Sequence, residues 1–266
     1  MLLNYRLLLP LILLCTSFSS SAEERWFEVE LLLFQRNTAI KAVKEDLAIK
    51  DIIIDTNTSI PLVKTEADGL CVEGLSCLHK KIPLLIDNRQ FASQANGFQR
   101  LSNEQLQLTA QRNKLERHAA FKPVLHLAWR MPVKSRNSAQ AIHLFAGENY
   151  ADNMPQGTSD KWAIDGNFKL YLDHYLFIDS QLLIRQETTS FVAKTQGQEF
   201  EVVNTENDVQ VIKQTESFVE PLEVQKKTVL NEALFDQNHR LRSGEIHYFD
   251  HPLMGMIVQI RKIPEQ

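Results

Sequence analysis

Hydrophobic and polar side chains alternate along the second half of the chain with the period of two that is typical of β-strands. The clearest example is the segment Trp162–Gln186, in which alternate positions on one side are mainly apolar: Phe168, Leu170, Leu172, His174, Leu176 and Ile178. The opposite side carries Lys169, Tyr171, Asp173 and Tyr175. This pattern predicts a sheet with one buried face and one wet face, and a hairpin or bend at Asp179-Ser180.

Other segments are rich in β-branched and aromatic residues, and we predict strands in them as well. They are Trp26–Gln35, Val124–Arg130 (ended by Pro132), Ala141–Phe145, Arg240–Phe249 and Leu253–Ile263. The last two are expected to form a hairpin around Asp250-His251-Pro252, because proline suits a turn and lacks the N–H that a strand ladder needs. Residues 186–237 are predicted to form edge strands or a protruding hairpin.

One segment has the features of an α-helix. Ser102 and Gln105 have the spacing of a capping box, which predicts a helix from Asn103 to about His118, with Pro123 enforcing its end. Residues 37–100 lack a regular pattern and are expected to form an irregular excursion. The predicted fold is therefore α+β: β-rich, with a mainly antiparallel sheet, one principal helix and a C-terminal β-hairpin.

The first 22 residues have the layout of a secretory signal peptide, with Arg6 before the apolar run Leu7–Phe18 and small residues up to Ala22. We expect cleavage to leave residues 23–266 as a single domain without a transmembrane segment, since the run is shorter than the about 20 residues that cross a bilayer. Cys15 leaves lipidation as an alternative, although Leu14 stands where a lipoprotein leader has a small residue.

Two cysteines, Cys71 and Cys77, follow the predicted leader. In an oxidising compartment we expect them to form a disulfide that closes a short local loop. Zinc binding is the alternative, but the two thiols and His79 supply three ligands without a clear fourth.

The balance of charge disfavours nucleic acid as a partner. The whole chain has a formal net charge of −4, and the predicted cleavage removes only Arg6, which leaves −5. Neither a glycine-rich dinucleotide fingerprint nor a phosphate-binding loop occurs, so no nucleotide cofactor is expected.

The predicted terminal hairpin contains residue types that also occur in metal and catalytic sites, namely His247, Asp250 and His251. Metal binding is not favoured, because one histidine is expected on a strand and the other in a turn. Ser243 lacks the glycine elbow of a serine hydrolase. Paired carboxylates for glycan cleavage are available in number, but we interpret them as a solvated face: Asp160, Asp165, Asp173 and Asp179. No catalytic or metal-binding residue is predicted.

Binding is the chemistry that the hairpin favours. Residues 240–262 carry a net charge of +2, from Arg240, Arg242, Arg261 and Lys262 against Glu245 and Asp250. A basic patch favours an anionic partner, and a guanidinium group binds a carboxylate at two points. The predicted ligand-binding residues are Arg240, Arg242, Glu245, His247, Tyr248 and Trp129. The alternative is that the arginines line the wet face of an edge strand and that both aromatic residues belong to the core or its boundary.

Three segments resemble the CsiV family of periplasmic peptidoglycan-binding proteins: Trp26–Glu30, Leu125–Pro132 and above all Arg240–Arg261. The resemblance implies a protein of the Gram-negative periplasm that binds peptidoglycan, whose stem peptides carry free carboxylates. It also implies a role in cell-wall biogenesis and cell shape, through the outer-membrane lipoprotein activator of a class A penicillin-binding synthase. The family brings no catalytic residue and no cofactor. The alternatives are a periplasmic peptidoglycan hydrolase and a protein-only scaffold without glycan binding.

Overall fold

The computed structural model describes residues 25–43, 53–64, 81–92, 96–153, 159–195, 198–202 and 223–263. The strands of these residues are β1 (Arg25–Arg36), β2 (Ile60–Pro61), β3 (Gln99–Arg100), β4 (Phe121–Val133), β5 (Ile142–Asn149), β6 (Trp162–Asp173), β7 (Tyr175–Thr195), β8 (Gln198–Val202), β9 (Glu223–Leu241), β10 (Ile246–His251) and β11 (Met254–Lys262). The α-helix is α1 (Thr109–Glu116), and short 3-10 helices occupy Ile40–Ala42, Asn103–Gln105 and Tyr150–Asn153.

The strands form two sheets. The first, which we call the hairpin sheet, has the order β10-β11-β1-β4-β3, and all its neighbours are antiparallel. The second, the ribbon sheet, has the order β2-β5-β6-β7-β8, and β9 lies along the other side of β7. Among the pairs of named strands in the described residues, the short β2–β5 pair is parallel and the others are antiparallel. The predicted α+β class with a mainly antiparallel sheet and a C-terminal hairpin is confirmed.

The hydrophobic core lies between the two sheets. Alternate residues of β11, namely Met254, Met256, Val258 and Ile260, are fully buried, as their period of two requires. Trp129 on β4 is also fully buried and meets Phe168 of β6 edge to face, with ring centroids 6.2 Å apart. Side chains from both sheets thus form one continuous cluster, so the two sheets fold as a unit.

The predicted helix is broken into two pieces. The Ser102–Gln105 capping box is present, but it starts only a 3-10 turn, and the backbone is extended at Leu106. Leu106 is buried there against Leu101 and Ala128 on the outer face of the hairpin sheet. Helix α1 then begins at Thr109, so the continuous helix from residue 103 to 118 was wrong because burial of Leu106 interrupts it.

Two prolines that were predicted to end elements lie inside β4. Pro123 pairs with Phe34, where the β1–β4 register shifts and Val124 is left over as a bulge. Pro132 pairs with Trp26 near the end of the strand. A bulge and a strand end are the places where a sheet tolerates a residue without an N–H.

The turn between β6 and β7 falls at His174 and not at Asp179-Ser180, as the alternation had suggested. His174 has a left-handed backbone, with a φ of 59°. Leu172 and Leu176 face each other across this turn and point to the same side. The apolar alternation therefore passes through the turn unchanged, and the sequence pattern could not mark its position.

The region predicted as edge strands or a protruding hairpin is a long antiparallel ribbon. β7 continues to Thr195, past the end of its pairing with β6, and β9 pairs with it from Glu223 to Leu241. The predicted signal peptide and the predicted Cys71–Cys77 disulfide lie outside the described residues. Within the described part of the chain, no helix has the length and apolar character needed to cross a bilayer.

A buried carboxylate, that of Glu30, joins α1 to the hairpin sheet. Its Oε1 accepts hydrogen bonds from the backbone N–H of Leu108 (2.7 Å) and from Nε2 of His126 (3.0 Å). Its Oε2 accepts from the backbone N–H of Gln107 (3.0 Å) and from Nη1 of Arg261 (2.9 Å). Burial raises the pKa of Glu30, but these four hydrogen bonds outweigh it and hold the pKa at about 2.

We predict that Glu30→Gln destabilises the protein at pH 7 by about 3 kcal/mol, the free energy that corresponds to the lowered pKa. The NH2 group of the glutamine amide would face hydrogen-bond donors of the protein, and Arg261 would lose the negative charge of Glu30 as a partner. The ordinary glutamate pKa of 4.5 is lowered, so the stabilisation is present above about pH 5 and is lost as the pH falls towards 2. Urea unfolding at successive pH values should show the variant and the native chain converging in acid.

Glu148→Gln is the matched control. Glu148 pairs with Lys122 at 3.0 Å, but both side chains are about half exposed, so we expect a loss below about 1 kcal/mol. Equal stability of Glu30→Gln and the native chain at pH 7 would contradict the role given to Glu30.

Candidate functional site

The chain passes from one sheet to the other in the terminal block that carries the predicted site. β9 ends at Leu241 in the ribbon sheet, residues 242–245 form a turn, and β10 starts at Ile246 in the hairpin sheet. Gly244 takes a left-handed backbone in this turn, with a φ of 87°, and its N–H donates to the carbonyl of Ile260. The single strand predicted over residues 240–249 is therefore wrong, because the turn divides it between two sheets.

The predicted basic residues are distributed over different surfaces. Arg240 lies on β9, and its guanidinium group sits over the ring of Tyr175, 4.4 Å from the ring centroid. Arg242 lies in the turn, 3.6 Å from the carboxylate of Glu245, and both side chains are exposed. The structure brings Arg242 and Glu245 together, but it places Arg240 on the other sheet.

The third arginine of the predicted patch, Arg261, is held on the outer face of the hairpin sheet by two carboxylates. Its Nε donates to Glu28 (3.1 Å) and its Nη1 to Glu30 (2.9 Å). Arg130 also donates to Glu28, from Nε and Nη2. Burial raises the pKa of Glu28, but the hydrogen bonds from Arg130 and Arg261 outweigh it and lower the pKa overall. The charge of Arg261 is thus balanced within the sheet.

Two further residues of the predicted ligand-binding set, His247 and Trp129, have structural roles. Nε2 of His247 lies 3.2 Å from both the backbone nitrogen and the carbonyl oxygen of Arg242, so the ring braces the turn. Trp129 is fully buried, and its Nε1 donates to Sδ of Met131 at 3.2 Å. Trp129 therefore presents no ring face to solvent.

The ring of Tyr248 stacks with that of Phe34 on the outer face of the hairpin sheet. Its ring is 6.2 Å from that of Phe34, and the two planes are 6° apart. Phe121 meets Phe34 edge to face at 5.3 Å. Gly255 pairs with Phe34 and makes room for it, since an added Cβ would lie 2.2 Å from the Phe34 ring. Because Gly255 has no side chain, Phe34 can lie across β11 and contact Tyr248.

Polar groups surround the hydroxyl of Tyr248. The hydroxyl donates to Oδ1 of Asp250 at 2.6 Å and accepts from Nη2 of Arg36 at 2.8 Å. Arg36 also forms an ion pair with the same Asp250 oxygen. Burial and the hydrogen bond to Asp250 raise the pKa of Tyr248, so the phenol stays protonated at neutral pH. These contacts hold the hydroxyl end of the ring in place.

The surface around this ring carries mostly uncharged side chains. Besides Arg261, five side chains of β10 and β11 alternate to the outside of the sheet, and we call the surface that they form the outer hairpin face: Ile246, Tyr248, Asp250, Ile257 and Gln259. Ile246 is 49% exposed and Tyr248 is 51% exposed. Apolar and aromatic surface with hydrogen-bonding groups at its margin is suited to binding and not to covalent chemistry.

Sequence reasoning proposed Tyr248 as a ligand-binding residue but did not find the residues that surround it in the structure, namely Phe34, Arg36 and Gly255. The period of two along β10 and β11 could have placed Tyr248, Asp250 and Gly255 on one face. No sequence pattern showed that β1 lies next to β11, so the contribution of Phe34 and Arg36 could not be inferred.

Two of the four carboxylates considered for glycan cleavage, Asp165 and Asp160, are hydrogen-bonded within the protein. Asp165 accepts from Nε2 of His143 (2.8 Å) and from Nη1 of Arg185 (3.0 Å). Burial raises its pKa, but these two partners outweigh it and lower the pKa overall, which keeps Asp165 ionised and unsuited to act as a general acid. Asp160 accepts from the side chain of Asn149 at 2.7 Å. Among the described residues, no group of three or more His, Cys, Asp or Glu side chains is placed to hold a metal ion.

A pocket lies elsewhere in the fold, at one end of the two sheets. It has a volume of about 100 Å³ and is lined by residues that include Ile60, Met131 and Leu170. β10 and β11 contribute nothing to its lining, so this pocket is separate from the outer hairpin face.

Comparison with protein families gives one match, and it extends over nearly the whole chain. The family model described as "Peptidoglycan-binding protein, CsiV" matches residues 6–263. Comparisons with curated proteins and with solved structures find no significant match.

We predict that Gly255→Ala destabilises the protein by about 1–3 kcal/mol, because its Cβ would displace a Phe34 ring that is held by two other aromatic rings. The measurement is the urea midpoint of the variant. Adding Phe34→Leu should recover part of this loss, since a smaller side chain relieves the clash. Additive losses in the double variant would show that Gly255 and Phe34 are not in the contact described.

Proposed function

The chain belongs to the CsiV family of peptidoglycan-binding proteins, and from this membership we propose that it is a non-enzymatic adaptor that binds peptidoglycan in the Gram-negative periplasm. In this proposal it supports cell-wall synthesis by working with the outer-membrane lipoprotein activator of a class A penicillin-binding synthase. Binding to the wall would keep the adaptor where the synthase works.

The observation that carries the proposal is the outer hairpin face. It offers the exposed aromatic ring of Tyr248, which packs against Phe34 and has polar groups at its hydroxyl. The turn that holds Arg242 and Glu245 continues directly into this face. An open surface of this kind suits a long polymer, which would have to thread into an enclosed cleft but can lie across an open face.

We predict that the purified mature protein sediments with isolated sacculi at low salt. Insoluble peptidoglycan carries a bound protein into the pellet, so the pelleted fraction measures binding directly. The protein alone, spun under the same conditions, should stay in the supernatant. If it also stays there when sacculi are present, direct binding to the wall is wrong.

Two further readouts separate the proposed adaptor from the other functions. Release of soluble muropeptides from the sacculi, with or without divalent metal, would identify a hydrolase and contradict the non-enzymatic proposal. Capture of the lipoprotein activator that persists after digestion of the wall, together with a failure to sediment with sacculi, would identify a protein-only scaffold.

A further inference from the structure

We propose that the outer hairpin face binds the sugar rings of the peptidoglycan glycan strand and not the carboxylates of its stem peptides. This inference rests on the proposed function and makes it more specific, because it names the part of the polymer that is recognised. It follows from the charge, the shape and the hydrogen-bonding groups of the face.

The charge of the region argues against a carboxylate ligand. The basic patch expected from the sequence is not assembled: Arg261 is paired with Glu28 and Glu30, and Arg36 is paired with Asp250. Arg242 is paired with Glu245 in the turn. To bind Arg261, a stem-peptide carboxylate would have to displace Glu28 or the buried Glu30, at the cost of leaving a carboxylate of the protein unpaired. The exposed Arg242–Glu245 pair lies in the turn beside the outer hairpin face and not on it. A neutral ligand meets no such penalty.

The shape of the face suits a sugar ring. The Tyr248 ring packs parallel to that of Phe34, with centroids 6.2 Å and planes 6° apart, while half of the tyrosine surface remains open to solvent. The C–H groups on one side of a pyranose ring pack against an aromatic plane, and burial of that plane supplies most of the free energy. The Tyr248 ring is already held by packing against Phe34 and by the hydrogen bonds of its hydroxyl. Binding therefore costs little conformational entropy of this side chain.

Ile246 and Ile257 extend the open surface beyond the aromatic ring. From Ile246 to Asp250 the strand covers about 13 Å, at the usual rise of a β-strand. The face is therefore longer than one side chain and can contact more than one sugar ring of a glycan strand that lies along β10. This length suits a linear polymer of sugar rings.

The polar groups at the edge suit hydroxyl and amide groups. Among the described residues, both side-chain contacts of Asp250 fall on Oδ1, from Tyr248 and Arg36. Its carboxylate is 62% exposed, so Oδ2 is placed to accept a hydrogen bond from a sugar hydroxyl or an acetamido N–H. An exposed aromatic ring with a carboxylate oxygen beside it can therefore fix both the plane and the rotation of a bound sugar.

The test uses glycan strands from which an amidase has removed the stem peptides, together with purified stem peptides as a second probe. We expect the mature protein to bind the denuded strands, and an excess of free stem peptides not to compete. Tyr248→Ala should weaken binding to the denuded strands by about tenfold or more, the usual effect of losing one aromatic contact. Tyr248→Phe keeps the ring and should lose only about two- to fivefold, from the missing hydroxyl contacts.

Tyr175→Ala is the matched control, because Tyr175 is 53% exposed and belongs to the other sheet. We expect it to bind denuded strands like the native chain. Urea midpoints check that each variant is folded, and the Phe variant at Tyr248 provides the comparison if the Ala variant does not fold.

Three outcomes would overturn the inference. Sacculus binding that is lost when the stem peptides are removed, or that free stem peptides compete away, would assign the ligand to the peptide. Native-like binding of denuded strands by folded Tyr248→Ala would remove the outer hairpin face from consideration, and loss of activator capture in that variant would make the face a protein-docking site. Failure of the native chain to sediment with intact sacculi would instead overturn the proposed function itself.

Discussion

The buried carboxylate of Glu30 is the interaction on which the layout of the hairpin sheet depends. It stands on the central strand β1 and receives hydrogen bonds from His126 on β4, from Arg261 on β11 and from the backbone that leads into α1. A charge at this depth is tolerated only when its partners are all present. The segment before α1 is therefore held over β1 and β4, while β10 and the adjacent side of β11 keep an open outer face.

The same network determines the chemical character of that open face. Glu28 and Glu30 occupy the guanidinium group of Arg261, so a residue that looks available in the sequence is part of the framework. What remains at the surface is an aromatic ring, two aliphatic side chains, the amide of Gln259 and a carboxylate whose charge is partly balanced by Arg36. The outer hairpin face is therefore nearly neutral, where the local charge of residues 240–262 had predicted a basic patch.

The outer hairpin face depends on a glycine and on a strand that is distant in sequence. Gly255 of β11 leaves space for the side chain of Phe34 from β1, and the ring of Tyr248 on β10 stacks with that of Phe34. Three neighbouring strands thus contribute one part each, and the ring is positioned by the sheet and not by a loop. The proposed contact with a glycan strand would therefore need no movement of a loop.

The sequence alone determined the β-rich character of the fold, the strand at Trp26–Gln35 and the buried face of β11, because a period of two is local and is set by burial on one side of a sheet. It also determined the family, through the residues of the terminal block. The tertiary structure decided that Leu106 interrupts the helix, that the β6–β7 turn falls at His174, and that Arg240 lies on a different sheet from Arg261. It also decided that Trp129 is buried and that Phe34 and Arg36 support Tyr248. These features depend on the order of the strands in each sheet. That order brings together side chains more than 200 positions apart, such as Arg36 and Tyr248, whose contact has no local signal in the chain.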